Sequence, residues 1–94
     1  MLQKASLLAI VRGRVQGVYF RAFVRSHAEA LGLTGYVRNL PGGSAIEVRV
    51  EGEKTKLDEL LGQLNVGPPR ARVDQVDVEW SEYTGLFTEF ELKY

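Results

Sequence analysis

The stretch Ser6–Arg21 reads SLLAIVRGRVQGVYFR, and its interpretation decides the fold. Ser6 to Val11 is almost continuously apolar, which suits a central strand covered on at least one face. From the far end of the stretch onward, Phe20, Phe23, Val24, His27, Ala28 and Leu31 recur at steps of three and four, the spacing of one helix face. Gly32 follows as the C-terminal cap of that helix. Between strand and helix lies the turn Gly13–Arg21. A short glycine-containing turn at a helix start exposes several backbone N–H groups in one direction, at the positive end of the helix dipole. Arg21 adds a planar fork of donors suited to phosphate oxygens. The residues of the loop fit two readings. One is a cradle for an oxyanion, most of all a phosphoryl group. The other is an ordinary strand-to-helix turn in which Gly17 takes a positive φ and Arg21 pairs with a surface carboxylate. Neither nucleotide fingerprint, Gly-x-Gly-x-x-Gly or Gly-x-x-x-x-Gly-Lys-Ser/Thr, is present.

Working outward, Tyr36–Leu40 and Ile46–Val50 read as two strands joined by the turn Pro41-Gly42-Gly43. Leu57, Leu60, Leu61 and Leu64 mark a second helix, which Gly67-Pro68-Pro69 ends. Val76, Val78 and Trp80 alternate with Gln75, Asp77 and Glu79 in a fourth strand. Phe90, Leu92 and Tyr94 alternate with Glu91 and Lys93 in a short last one. The order β-α-β-β-α-β plus a final strand predicts an α+β fold. It is a two-layer ferredoxin-like sandwich, an antiparallel sheet with two helices on one face. The 94 residues suit a single domain, 1–94, with no repeat, low-complexity tract or linker.

Composition narrows the function. Twelve basic and twelve acidic residues cancel, so overall charge gives no sign of nucleic-acid or membrane binding. Arg12, Arg14, Arg21, Arg25 and Arg38 crowd the first forty residues, either as a solvated surface or as a positive mouth around an anion site; function is favoured only for Arg21. With no cysteine there is neither a disulfide framework nor a thiolate nucleophile, which suits a reducing, cytoplasmic setting. His27 stands alone, without the neighbours a structural zinc site needs. The opening residues Met1–Lys4 do not read as a signal peptide, and no stretch approaches membrane-spanning length.

Strand alternation places Val37 and Asn39 on one face and Tyr36 and Arg38 on the other. If Val37 faces the helices, Asn39 emerges beside the loop of residues 16–21. Its amide both donates and accepts, so it is suited to holding a water in a fixed direction; equally, Asn before Leu-Pro-Gly is a common turn-starting residue.

Two segments carry a resemblance. Gly13–Arg21 matches the form Gly-x-Val-Gln-Gly-Val-x-Phe-Arg at every fixed position, and Gly35–Gly43 matches Gly-aromatic-Val-basic-Asn with a following glycine. These resemble the two signature motifs of the acylphosphatase family. Leu31-Gly32-Leu33-x-Gly35 and the closing Phe90-x-Leu92-x-Tyr94 are similar to it too, so the likeness runs from about Leu8 to Tyr94. One departure stands out. Ser44 and Ala45 precede Ile46 where the family usually has one residue, so the turn is one residue longer; the clean alternation of Ile46, Val48 and Val50 places the slip in the turn.

The resemblance implies hydrolysis of acyl phosphates to a carboxylate and inorganic phosphate by direct attack of water, with no cofactor, metal or covalent intermediate. It implies catalytic roles for Arg21 and Asn39, and phosphate binding by Gln16, Gly17, Val18, Tyr19, Phe20 and Arg21, for Gln16 chiefly through its backbone. The expected partners are a small-molecule acyl phosphate and phosphate, not nucleic acid or a membrane, with the chain acting as a monomer. Two other readings share the fold. A non-catalytic anion-binding or regulatory module is one; an RNA-binding version lacks the expected aromatic pair, since the first and third strands offer Ile10, Arg12, Val48 and Val50. The other is a fragment of a larger carbamoyl-transfer maturation protein, against which the ending at Tyr94 favours a stand-alone protein.

Overall fold

The chain runs in the order β1 (Lys4–Arg14), α1 (Phe20–Ala30), β2 (Thr34–Asn39), β3 (Ala45–Glu53), α2 (Lys54–Val66), β4 (Arg72–Glu82) and β5 (Phe90–Leu92). The structure is a computed structural model that describes residues 3–94; the reading of Met1 and Leu2 as no part of a signal peptide lies outside these residues. The five strands form one sheet in the order β4-β1-β3-β2-β5.

Pairing explains the core. Leu7 lies opposite Val50, Ala9 opposite Val48 and Val11 opposite Ile46, while Val37 lies opposite Val48 from the other side. Side chains directly opposite share a face, so these residues make one continuous apolar surface. Phe20, Val24 and Ala28 of α1 and Leu57, Leu60 and Leu64 of α2 are buried against it, which gives the two-layer sandwich expected from the periodicities. α1 stops in a Schellman arrangement. Gly32, at a φ of 71°, donates to the Glu29 carbonyl, and Leu33 donates back to Ala28. Gly42 and Gly43 both adopt positive φ in the turn before β3, and Ile46 faces the core.

One expectation changes. The sheet is antiparallel through its first four strands, but β5 pairs with β2 in parallel, so the whole is mixed rather than antiparallel. The cause is the path of the chain. β4 ends beside the start of β1, at the end of the sheet where β2 begins; the segment after it crosses behind the sheet, and β5 then runs the way β2 runs. Val78 and Trp80 alternate as expected, yet they stay 40% and 38% exposed because β4 is an edge strand; the Lys54 ammonium lies 4.5 Å from the Trp80 ring centre.

The crossing segment is pinned by a buried acid. Glu51 is only 1% exposed on the face away from the helices. Its carboxylate accepts from the Thr84 N–H at 3.0 Å, the Thr84 hydroxyl at 2.9 Å and the Gly85 N–H at 3.1 Å. Burial pushes this carboxyl up, but the donors from Thr84 and Gly85 outweigh it and hold the group below the ordinary glutamate range. A depressed folded pKa contributes stability that is present above the unfolded value, about 4.3, and is lost as pH falls through the folded value. Urea midpoints should therefore decline below about pH 5. Glu51→Gln should lower stability at pH 7 by about 1–3 kcal/mol and flatten part of that acid decline. An acid profile unchanged by Glu51→Gln would show that Glu51 is not held down.

Candidate active site

The strand-to-helix junction leaves its backbone donors free. Among the described residues, no N–H of 16–22 donates to a backbone carbonyl, and the first bond of the helix is Phe23 N–H to the Tyr19 carbonyl at 3.0 Å. α1 has no capping side chain and no acidic residue in its first turn. Tyr19 sits at the N-cap in the left-handed region, with φ 61° and ψ 22°, the one non-glycine residue at positive φ among those described. Gly17, at φ 71°, turns the chain just before it. The result is a run of donors at a positive helix end, with no side-chain cap and no acid in the first turn to neutralise it.

A cavity of about 440 Å³ opens on this junction, lined by Val15, Gly17, Tyr19, Phe20, Arg21, Ala22, Asn39, Leu92 and Tyr94. Gly17, Tyr19, Phe20, Arg21 and Asn39 of the expected site residues therefore meet at one place. Val18 does not line it; its side chain is buried in the core. Gln16 does not line it either, because its side-chain amide donates to the Leu40 carbonyl at 2.8 Å and the Ala45 carbonyl at 2.9 Å.

Arg21 has no carboxylate partner among the described residues. Instead its Nη1 donates to the Lys93 carbonyl at 2.7 Å, and its guanidinium lies 4.8 Å from the Tyr94 ring centre. That fixes one edge of the fork and leaves the other donors available. Asn39 stands at the end of β2 on the helix-covered face, opposite Ile46. Its Oδ1 is buried without a hydrogen-bond partner from the protein.

Three of the other early arginines pair with carboxylates. Arg12 binds Asp77 at 2.8 Å, Arg25 reaches Glu29 at 4.0 Å, and Arg38 binds Glu47 at 2.8 Å behind the sheet. Arg12, then Gln75, hold the Asp77 carboxyl below its usual range. Burial pushes Glu47 up, but donors from Arg38 and Tyr36 outweigh it and hold it low. Among the described residues, Arg21 is the one charged side chain lining the cavity. His27 packs against Phe23, ring centres 4.5 Å apart, away from the cavity. No group of three or more His, Asp or Glu among the described residues could hold a metal ion. No described helix is long and apolar enough to cross a membrane.

The comparisons with known proteins agree with this geometry. A family model described as Acylphosphatase matches residues 7–92. The chain belongs to the acylphosphatase family. A protein named Acylphosphatase from Caldivirga maquilingensis is 53% identical over 85 residues, 90% of each chain. One from Dehalococcoides mccartyi is 50% identical over 88 residues, 94% of this chain and 97% of that one. The crystal structure of acylphosphatase from Bacillus subtilis superposes with a TM-score of 0.91 at 32% identity, covering 96% of this chain and 99% of the other. The family carries the activity with it: an acylphosphatase, hydrolysing acyl phosphates, rather than a non-catalytic module of the same fold.

Reading the residues in order missed Val15, Ala22, Leu92 and Tyr94 as cavity walls, and the Lys93 carbonyl as the anchor of Arg21. Lys93, just past the last strand, lies 72 positions from Arg21, and no local spacing announces that contact. Tyr19 offers a direct check on the loop. Its ring is 86% exposed, and its left-handed backbone costs a side-chain-bearing residue about 1–2 kcal/mol. Glycine there gives back about 0.5–1 kcal/mol of that in chain entropy. Tyr19→Gly should leave the urea midpoint level or raise it slightly; a clear drop would mean the ring contributes packing.

Proposed function

We propose that the cavity hydrolyses acyl phosphates by in-line attack of water on phosphorus, with no covalent phosphoenzyme and no metal ion. The observation that supports this most is the meeting, on one cavity, of Gly17, Tyr19, Phe20 and Ala22, from a loop whose N–H groups donate to no backbone carbonyl, with Arg21 and Asn39. In this reading the backbone donors and the free edge of Arg21 grip the equatorial phosphoryl oxygens, where charge is held through the transition state. Because they are set before substrate arrives, they need no reorganisation during reaction. Asn39 holds the attacking water on the side away from the acyl oxygen.

The leaving group asks for little. A carboxyl-phosphate is a mixed anhydride, and the departing carboxylate is stable without general-acid help. The water proton goes to a phosphoryl oxygen. Ser, Cys and His are missing from the cavity walls, in keeping with direct attack by water. Leu92, Ala22 and Tyr94 form the wall for the acyl group. The same reading has the chain acting as a monomer in the cytoplasm, in keeping with a sequence free of cysteine.

Benzoyl phosphate hydrolysis tests this. Arg21→Lys keeps the charge but loses the fork, so turnover should fall steeply and phosphate should inhibit less; near-normal kinetics in the folded variant would take Arg21 out of the site. Asn39→Ala should lower turnover about a hundredfold, equivalent to about 2.7 kcal/mol, while phosphate inhibition stays nearly intact. Full turnover with a lowered urea midpoint would instead make Asn39 a turn residue. Activity should also survive prolonged chelation with EDTA. Loss on chelation and recovery with magnesium would contradict the metal-free mechanism.

A further inference from the structure

We infer that Gln16 is a positioning residue, which ties the strand end bearing Asn39 to the anion-binding loop and so sets the direction of the Asn39 amide. The inference rests on the water-positioning role proposed above. Gln16 spends both Nε2 hydrogens on backbone carbonyls, Leu40 at 2.8 Å and Ala45 at 2.9 Å. Nothing on that nitrogen is left to donate to a ligand.

The two carbonyls are well chosen. Leu40 directly follows Asn39, and Ala45 lies across the turn from it, joined by the Leu40 N–H to Ala45 carbonyl bond at 3.0 Å. The amide thus grips both legs of the hairpin where it leaves the sheet. That turn needs a brace. Pro41 to Ser44 are exposed, and Gly42 and Gly43 both take positive φ, so the turn has little stiffness of its own. A second tie, Gly13 N–H to the Ser44 carbonyl at 2.9 Å, holds the tip to the end of β1. Gln16 is the side chain that connects this hairpin to the loop of free donors.

Only an amide of this length does the work. A carboxylate at the same place would face two carbonyl oxygens with negative charge. A thioether would fill the space and leave both carbonyls without this donor. Losing the brace lets the Asn39 amide drift relative to the phosphoryl cradle, and misplacement by about 1 Å can cost about a hundredfold in rate. The cradle itself, made of backbone and Arg21, stays.

The test is a double-mutant cycle on the full chain, with benzoyl phosphate as substrate and inorganic phosphate as inhibitor. Gln16→Met should lower kcat by about tenfold to a hundredfold and leave phosphate inhibition within about twofold. Combined with Asn39→Ala, it should add almost nothing to the loss that Asn39→Ala causes alone. Losses that multiply, an unchanged kcat, or phosphate binding weakened in step with kcat would each overturn the inference. If Asn39→Ala alone leaves kcat intact, the failure belongs to the water-positioning role and is seen before Gln16 is touched. A measurement on the unmutated chain covers the case in which Gln16→Met does not fold. Both Gln16 Nε2 protons should exchange slowly and keep their NMR shifts when phosphate saturates the Gly17 N–H; shifts as large as those of Gly17 would make Gln16 a ligand and sink the proposal.

Discussion

The antiparallel register that sets Asn39 opposite Ile46 and Val37 opposite Val48 is the constraint on which core and site both depend. A slip of one residue between these strands would either turn Ile46, Val48 and Val50 out of the core or carry Val37 and Asn39 to the far side of the sheet. The apolar residues enforce the register through burial, and Asn39 takes its place by having the same parity as Val37.

The junction before α1 runs against ordinary rules of stability. A helix start without a capping side chain, without an acidic first turn and with a tyrosine in the left-handed region forgoes several favourable terms at once. Each omission leaves positive potential or a free donor at the same place. The stability comes from elsewhere: Phe20, the first residue of the helix, is almost wholly buried, so the strained turn is fixed by packing immediately below it.

Much of this was legible in the residues. Apolar steps of two and of three and four located the strands and helices, and parity alone put Asn39 beside the loop. What stayed hidden depends on contacts between distant parts of the chain. Gln16 has no pattern that distinguishes a brace from a ligand, since its partners are carbonyls at positions 40 and 45 and any residue type provides those. The parallel docking of β5 was concealed for a similar reason: it follows from the route behind the sheet, set by Glu51 gripping Thr84 and Gly85, whereas alternation in Phe90–Tyr94 says only that a strand exists.

The contact between Arg21 and Lys93 joins positions 72 apart, so it can form only after the chain has closed nearly its whole length. Loop closure on that scale comes at an entropic cost that other contacts must already have met. The helices and the pairing of β2 with β3 are local, whereas the docking of the final strand is not. The wall around Arg21, like the β1–β4 pairing that joins Ala5 to Glu82 across a still longer span, exists only once distant parts of the chain have met, so recovery of function on refolding reports the whole topology rather than the local pairings alone.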